Sequence, residues 1–415
     1  MRPLLHSVLQ NLVRTGGLTV HWPDGGTAYY GSTAGPQAAL RLRDANTVRR
    51  VALDPGLRFG EAYMDGGLIP VGGTIYDVLD VLLLNIGRRH SHPIMDAWEQ
   101  LRSWTRVLRQ RNQPVRARRN VSHHYDLDER LYRLFLDQDM QYSCAYFAHD
   151  GVSLEQAQTA KKHHIAAKLD LRRPGLSVLD IGCGWGGMAL TLARDYGAVV
   201  TGITLSDEQL RVCRQRAQEA GLADRVRFEL RDYRDVAAPF DRVMSVGMLE
   251  HVGIAHYRGY FDTVRRCLAP DGVALIHTIG RSEGPGHTAQ WLAKYIFPGG
   301  YSPALSELAP HFESSGLVLT DLEVLRLHYA KTIRLWRERF SRNRDVIASI
   351  YDERFCRMFE FYLAGAELTF RHEGHVNFQL QFSRDVTVPR LTRDYMMGGG
   401  VERVEAAGMV GAGGG

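Results

Sequence analysis

The chain has 415 residues, 45% of them hydrophobic, with a net charge of +5 and a pI near 8.9. That length suggests two or three domains, and the basic balance suits an anionic partner without naming one. No run approaches the roughly 18 apolar residues of a membrane span, and five scattered cysteines without C-x-x-C spacing argue against a disulfide framework or a zinc site.

Met1 to Gln10 lacks a signal peptide's apolar block, so a cytoplasmic location is expected. Leu18 to Trp22, then Pro23-Asp24-Gly25-Gly26, then Thr27 to Tyr30 reads as a hairpin. Short strands are expected over Ala39–Leu42 and Val48–Leu53, followed by a helix over Ile75–Ile86 with apolar residues on almost every side. Residues 1–100 thus read as a small α+β domain with no acid/base cluster of its own. Between Arg102 and Arg119 stand seven arginines and no acid, with Arg102, Arg106 and Arg109 on one helical face beside Trp98, Leu101, Trp104 and Leu108. This segment, 101–122, reads as a contact for anionic lipid headgroups or nucleic-acid phosphates, or as a solvated helix and linker.

From residue 123 to 397 the pattern is that of an α/β domain. A helix is expected over Leu127–Leu136, an aromatic segment follows at Met140–Phe147, and a second helix spans Glu155–Leu169, with Ala157, Ala160, His164 and Ala167 toward the sheet. Adjacent His163 and His164 cannot face one point on a helix, so no metal site is expected there. Ser177–Gly187, SVLDIGCGWGG, reads as a buried strand, a glycine turn and a helix N-terminus, the arrangement that holds a nucleotide-like ligand. Gly182, Gly184 and Gly187 are expected to clear the turn. Read literally the stretch is also G-x-G-x-x-G, but a dinucleotide site needs an acid about 20 residues on, where this chain has Thr201 to Ser206.

Strands at Val199–Ile203, Val226–Leu230, Asp241–Val246 and Val273–Thr278 alternate with helices at Ser206–Ala220 and Tyr257–Leu268. Ser206 is the expected N-cap of the first of these helices, with Gln209 at the capping-box position. Gly316–Leu325 and Val376–Phe382 are expected to complete a doubly wound sheet, and 398–415 reads as a flexible glycine-rich tail. Ligands of such sheets sit beyond the carboxyl ends of the strands, which draws attention to Asp232-Tyr233, to Glu250, to His277 and to Tyr329. Singly, Glu250 could be a helix N-terminal acid, His277 a satisfied strand-end imidazole and Tyr329 packing. A carboxylate, an imidazole, a phenol and the Cys144 thiol on one edge form a more pointed set.

The blocks YSCAYF at Tyr142–Phe147, VLDIGCGWGG, GITLS, GMLEHVG at Gly247–Gly253, HTIG, IFPGG at Ile296–Gly300 and HYAKT occur together in this order. In that combination, over roughly residues 120–390, the chain resembles the cyclopropane-fatty-acyl-phospholipid synthases and the related mycolic acid cyclopropane synthases. GEAYMDG at Gly60–Gly66 is similar to the small N-terminal domain of the phospholipid enzymes, which the mycolate enzymes lack. The resemblance implies a Rossmann-like S-adenosylmethionine (SAM) methyltransferase that adds a methylene across a cis double bond of a phospholipid acyl chain.

It implies further that a bicarbonate ion serves as the base, held by Cys144, Glu250, His277 and Tyr329 with backbone groups at Val246 and Ile279. SAM would meet Tyr142 and Ser143 at the entrance, Gly182 and Gly184 along its methionine part, Thr204, Leu205 and Gln209 on the adenosine side, and Asp232 and Tyr233 near adenine. Aromatic faces of Tyr142, Tyr146, Trp291, Tyr295 and Phe297 are candidates to shield a carbocation from water. The expected partners are unsaturated phospholipids at the inner face of the membrane, with no nucleic acid and a homodimer left open. The alternatives are a relative that loses a different proton and gives a methyl-branched or methylene product, a non-catalytic lipid carrier, or a nucleic-acid methyltransferase. The aromatic segment and the four-residue cluster disfavour the last.

Overall fold

The computed structural model describes residues 1–87 and 128–397. The basic stretch Arg102–Arg119 and the tail 398–415 lie outside the described residues. The chain forms two compact units, one of residues 1–109, 286–298 and 333–375, the other of 110–285, 299–332 and 376–415.

In the first unit, α1 (Arg2–Leu12) precedes β1 (Gly17–His21), β2 (Thr27–Gly31) and β3 (Gln37–Leu42), followed by α2 (Ala45–Leu53), α3 (Pro55–Met64), β4 (Leu68–Pro70) and α4 (Ile75–Gly87). The hairpin forms as expected, with His21 opposite Thr27, and the sheet order is β2-β1-β3-β4. Alternation along β1 buries Leu18 and Val20, which meet Leu40 and Leu42 of β3 and Val78 and Val81 of α4 in one core. Burying each such side chain contributes about 1.5–3 kcal/mol. Val48–Leu53 is not a strand. Asp44 caps a helix there, accepting from Thr47 N at 2.7 Å, and Val48 and Val51, three residues apart, share the buried face. The valines suggested a strand, but their spacing and the cap set the helix.

In the second unit the order is β10-β11-β9-β8-β5-β6-β7. Its strands are β5 (Ser177–Ile181), β6 (Val199–Thr204), β7 (Val226–Leu230), β8 (Phe240–Val246), β9 (Leu268–Arg281), β10 (Val318–Leu325) and β11 (His375–Ser383). The five strands β5 to β9 pair in parallel, and β10 and β11 close the sheet as an antiparallel pair. This is the expected α/β, Rossmann-like doubly wound sheet. Helices Leu154–Lys168 (α5), Gly187–Tyr196 (α6), Asp207–Glu219 (α7) and Tyr257–Cys267 (α8) cover its faces. The chain leaves β5 toward β6 on one side and toward β8 on the other, so the crevice between β5 and β8 is the switch point where such sheets bind ligands.

Candidate active site

The turn after β5 is built by backbone geometry that side chains resist. Gly182 and Gly184 adopt φ of 81° and 53°, in the left-handed region. Gly187 acts differently from the expectation: it is the first residue of α6, and a Cβ there would stand 2.3 Å from Asp139 Oδ2. It permits close packing instead of a turn. Gly182 N and Cys183 N both donate to Ile203 O at 3.0 Å, pinning the turn to β6.

Around this turn all nine cofactor candidates, Tyr142, Ser143, Gly182, Gly184, Thr204, Leu205, Gln209, Asp232 and Tyr233, line one cavity, together with Val246. The cavity leaves about 160 Å³ for the centres of water molecules. Tyr142 is held edge-on against Tyr132 and Phe135, and Tyr233 against Tyr260. Ser206 caps α7 by accepting from Gln209 N, but the Gln209 side chain does not complete a capping box. Its Oε1 accepts from Thr204 Oγ1 at 2.8 Å, which holds both residues at the cavity wall. Asp232 accepts from Arg234 N at 3.0 Å and from the Arg234 side chain, fixing the turn that carries Tyr233.

Two buried ionic groups of this wall were not singled out by the sequence reading. Asp180 Oδ2, at the end of β5, is buried without a hydrogen-bond partner, and burial pushes its carboxyl up to about 7 against the pull of Lys161. Lys161 of α5 donates to Gln141 Oε1 at 2.5 Å and to Ser143 Oγ at 2.8 Å, and burial lowers its ammonium to about 8. Cys144 and His277 also feel this ammonium, so it is a charge shared by the cavity and its neighbours.

The four catalytic candidates are assembled in two tied pairs. Val246 faces His277 across the β8–β9 ladder, and Gly247 N donates to His277 O at 2.8 Å. Glu250, on the turn after β8, accepts from Ile279 N at 2.6 Å through Oε1, while Oε2 is buried with no partner. Burial raises its carboxyl to about 7, opposed by the Ile279 N–H. Burial also drives His277 well below its ordinary range, so its imidazole is neutral. Gln379 Nε2 lies 3.0 Å from His277 Nδ1; an amide N–H can only donate, so the imidazole proton sits on Nε2, which is buried and unpartnered. The structure therefore holds a free donor and a free carboxylate oxygen on adjacent segments.

The other pair is joined through its neighbours. Ala145 N donates to Thr332 Oγ1 at 3.0 Å and Phe147 N to His328 Nδ1 at 3.0 Å, which ties the segment carrying Cys144 to the helix start carrying Tyr329. Cys144 is wholly buried and burial pushes its thiol up, so it is a neutral donor and no thiolate nucleophile. Tyr329 is buried as well.

Of the aromatic candidates, Tyr146 stacks between His164 at 4.2 Å and His328 at 5.1 Å. Trp291, Tyr295 and Phe297 belong to the first unit, where they meet Phe361, Glu61 and Tyr362. His164 bonds Glu323 and His163 bonds Tyr196. All five cysteines are free and buried, and among the described residues no three His, Cys, Asp or Glu side chains converge to hold a metal. Among those residues no helix is long and apolar enough to cross a membrane.

The family described as mycolic acid cyclopropane synthetase matches residues 112–380, and a domain of unknown function, DUF7884, matches residues 4–88. The cyclopropane-fatty-acyl-phospholipid synthase of Escherichia coli K12 is 38% identical over 360 residues, 84% of this chain and 88% of its own. The tuberculostearic acid methyltransferase UfaA1 of Mycobacterium tuberculosis is 36% identical over 370 residues, 85% of this chain and 84% of its own. Among solved structures, mycolic acid cyclopropane synthase CmaA1 complexed with SAH and CTAB superposes with a TM-score of 0.61 at 32% identity, covering 64% of this chain and 97% of its own. A SAM-methyltransferase sheet, a glycine turn of this build and similarity across most of the length lead to one conclusion: the chain belongs to the cyclopropane synthase family of SAM-dependent methyltransferases.

Proposed function

We propose that the protein transfers a methylene group from SAM to the cis double bond of an unsaturated phospholipid acyl chain, with bicarbonate as the base. The observation that carries this reading is the pairing of an unpartnered carboxylate oxygen of Glu250 with an unpartnered imidazole N–H of His277. Simple methyl transfer needs no base, whereas ring closure must remove a proton from the carbon just delivered. When bound, SAM supplies the methyl group on a sulfonium that is already a good leaving group. The chain's task is alignment and exclusion of water. Gly182 and Gly184 admit the methionine part beside Asp180, Thr204, Leu205 and Gln209 take the adenosine side, Asp232 and Tyr233 the adenine, and Tyr142 and Ser143 the entrance. His277 Nε2, the Cys144 thiol and the Tyr329 phenol would donate to the bicarbonate anion and Glu250 Oε2 would accept its hydroxyl, with backbone at Val246 and Ile279 beside it, the Ile279 N–H itself holding Glu250 Oε1.

In the same reading the first 100 residues form a small N-terminal domain and residues 123–397 the catalytic one, except that 286–298 and 333–375 pack into the compact unit of the N-terminal residues. The segment 101–122 bears on anionic lipid at the inner face of the membrane, and a homodimer is compatible with all of this. The test is purified protein with SAM and vesicles of a cis-monounsaturated phospholipid, read by mass spectrometry and proton NMR. Addition of one CH₂ unit with loss of the olefinic signals and appearance of ring protons is expected. A second reading, a methyl-branched or methylene product, is favoured by the similarity to UfaA1 over 85% of the chain. Olefinic methylene or branched-methyl signals in place of ring protons establish it.

A further inference from the structure

The first unit has a cavity that the chemistry above does not use. It leaves about 370 Å³ for water centres. One wall is Tyr63 and the run Leu68 to Tyr76; the other is helical and carries Arg337, Arg344, Arg357, Glu353 and Glu360. Arg344 spends Nε and Nη2 on Glu360 and Glu353, Arg357 spends Nε on Glu353, and Arg337 spends Nε on Glu367 while lying 4.1 Å over the Tyr76 ring. These arginine side chains are 28%, 28% and 32% exposed, and the hydrogen bonds named leave further N–H groups on each guanidinium for a ligand.

The surrounding charge is unbalanced. Three ion-pair clusters stand in this unit: Arg337 and Arg371 on Glu367; Arg344 and Arg357 on Glu353, with Arg344 also on Glu360; and Arg50, Arg58, Lys294 and Arg354 on Glu61 and Asp65. Among the charged residues that line the cavity, Arg337, Arg344 and Arg357 stand against Glu353 and Glu360, an excess of one positive charge. A Cβ at Gly66, in the GEAYMDG block, would stand 2.6 Å from Arg357 Nη1, so that guanidinium lies directly against the turn.

The wall from Tyr63 to Tyr76 lies in the region matched by DUF7884, ahead of the residues that the cyclopropane synthetase family matches. The mycolic acid enzyme CmaA1 is accounted for over 97% of its length by 64% of this chain, whereas the phospholipid enzyme of E. coli is similar over 84% of it. What separates the two kinds of substrate by name is the phospholipid headgroup. We propose that this cavity binds the phosphodiester of the phospholipid substrate, through Arg344 and Arg357 with Arg337 on its flank. The inference rests on the phospholipid reading of the function. Planar guanidinium forks suit phosphate oxygens, and a concave site with surplus positive charge selects a single headgroup over a flat bilayer contact.

The test is steady-state kinetics on monounsaturated phospholipid vesicles with Arg344→Gln/Arg357→Gln and, separately, with Ser341→Trp, which fills the cavity and leaves the ion pairs in place. The expected result is an apparent KM for lipid raised at least about tenfold in both, with kcat and SAM affinity unchanged. Phosphorus NMR of the wild-type chain with glycerophosphoethanolamine, the headgroup without its acyl chains, gives an independent reading, with inorganic phosphate as the second arm. Saturable binding of the glycerophosphodiester that Ser341→Trp abolishes supports the site. Binding of inorganic phosphate alone, or an unchanged lipid KM in folded variants, overturns it. Failure of the function reading itself is distinct: the wild-type chain then forms no ring on any phospholipid, whatever the NMR result.

Discussion

Two buried glutamates of this protein are treated in opposite ways. Glu61, in the first unit, accepts from Arg50, Arg58, Lys294 and the Tyr295 phenol; burial pushes its carboxyl up, but these partners more than offset it and leave it at about 2. Glu250, in the second, has the Ile279 N–H on Oε1, smaller pulls from its own N–H and the Thr278 hydroxyl, and no hydrogen-bond partner on Oε2, and burial leaves it at about 7. A carboxylate saturated with donors is committed to the fold. One kept dry and half-satisfied is a cost that folding alone does not recover, and such a cost is retained where a ligand completes the set.

The largest effect should come from Glu250 through pH. Its folded value lies above its ordinary 4.5, so its contribution to stability is full below 4.5 and is lost as pH rises through 7. Relative to Glu250→Gln, the ligand-free wild type should lose about 3 kcal/mol of stability between pH 5 and 9 in urea titrations. A flat difference would mean that Oε2 has partners in solution.

Glu61 should show the opposite slope. Its folded value lies below 4.5, so its stabilisation is present above that pH and is lost as pH falls toward 2. The advantage of wild type over Glu61→Gln, up to about 2 kcal/mol because its cationic partners are partly hydrated, should vanish in acid unfolding curves. Parallel slopes for the two variants would erase the contrast.

Cys144→Ser should have the smallest effect, a loss of turnover of about fivefold or less, because a hydroxyl still donates where the neutral thiol did. Near-complete loss would turn Cys144 from a donor into a nucleophile and break the account of the polar cluster.

The legibility of these regions in the sequence follows the same divide. Strands β5, β6 and β8 are mostly buried parallel strands that stand out as largely apolar stretches, while β7, at the sheet edge, alternates; the glycine turn and the carboxyl-edge residues follow from that pattern. The α2 segment was misread because two valines outweighed the Asp44 cap. In β11 the alternation of Asn377, Gln379 and Gln381 with apolar residues suggests one wet face, yet all three are buried. Gln379 sets the His277 tautomer and Gln381 bonds Lys168 O and Tyr395, roles that a period of two cannot reveal. Lys161 and Asp180 were passed over because composition marks a lysine as solvated and the aspartate sat inside a strand run. Trp291, Tyr295 and Phe297 lie in or just before the IFPGG block but pack within the first unit, since nearness to a motif does not fix which core a side chain joins.

The central claim is that Glu250 serves the proton-removal step and not cofactor binding. Calorimetry of SAM binding and a lipid turnover assay on the same preparation of Glu250→Gln test it most directly, with bicarbonate depleted and then restored for the wild type. The account predicts unchanged SAM affinity, turnover reduced about tenfold to a hundredfold by loss of one charge-assisted hydrogen bond, and a wild-type rate that falls on depletion and recovers on addition. Full activity of Glu250→Gln together with indifference to bicarbonate would contradict it.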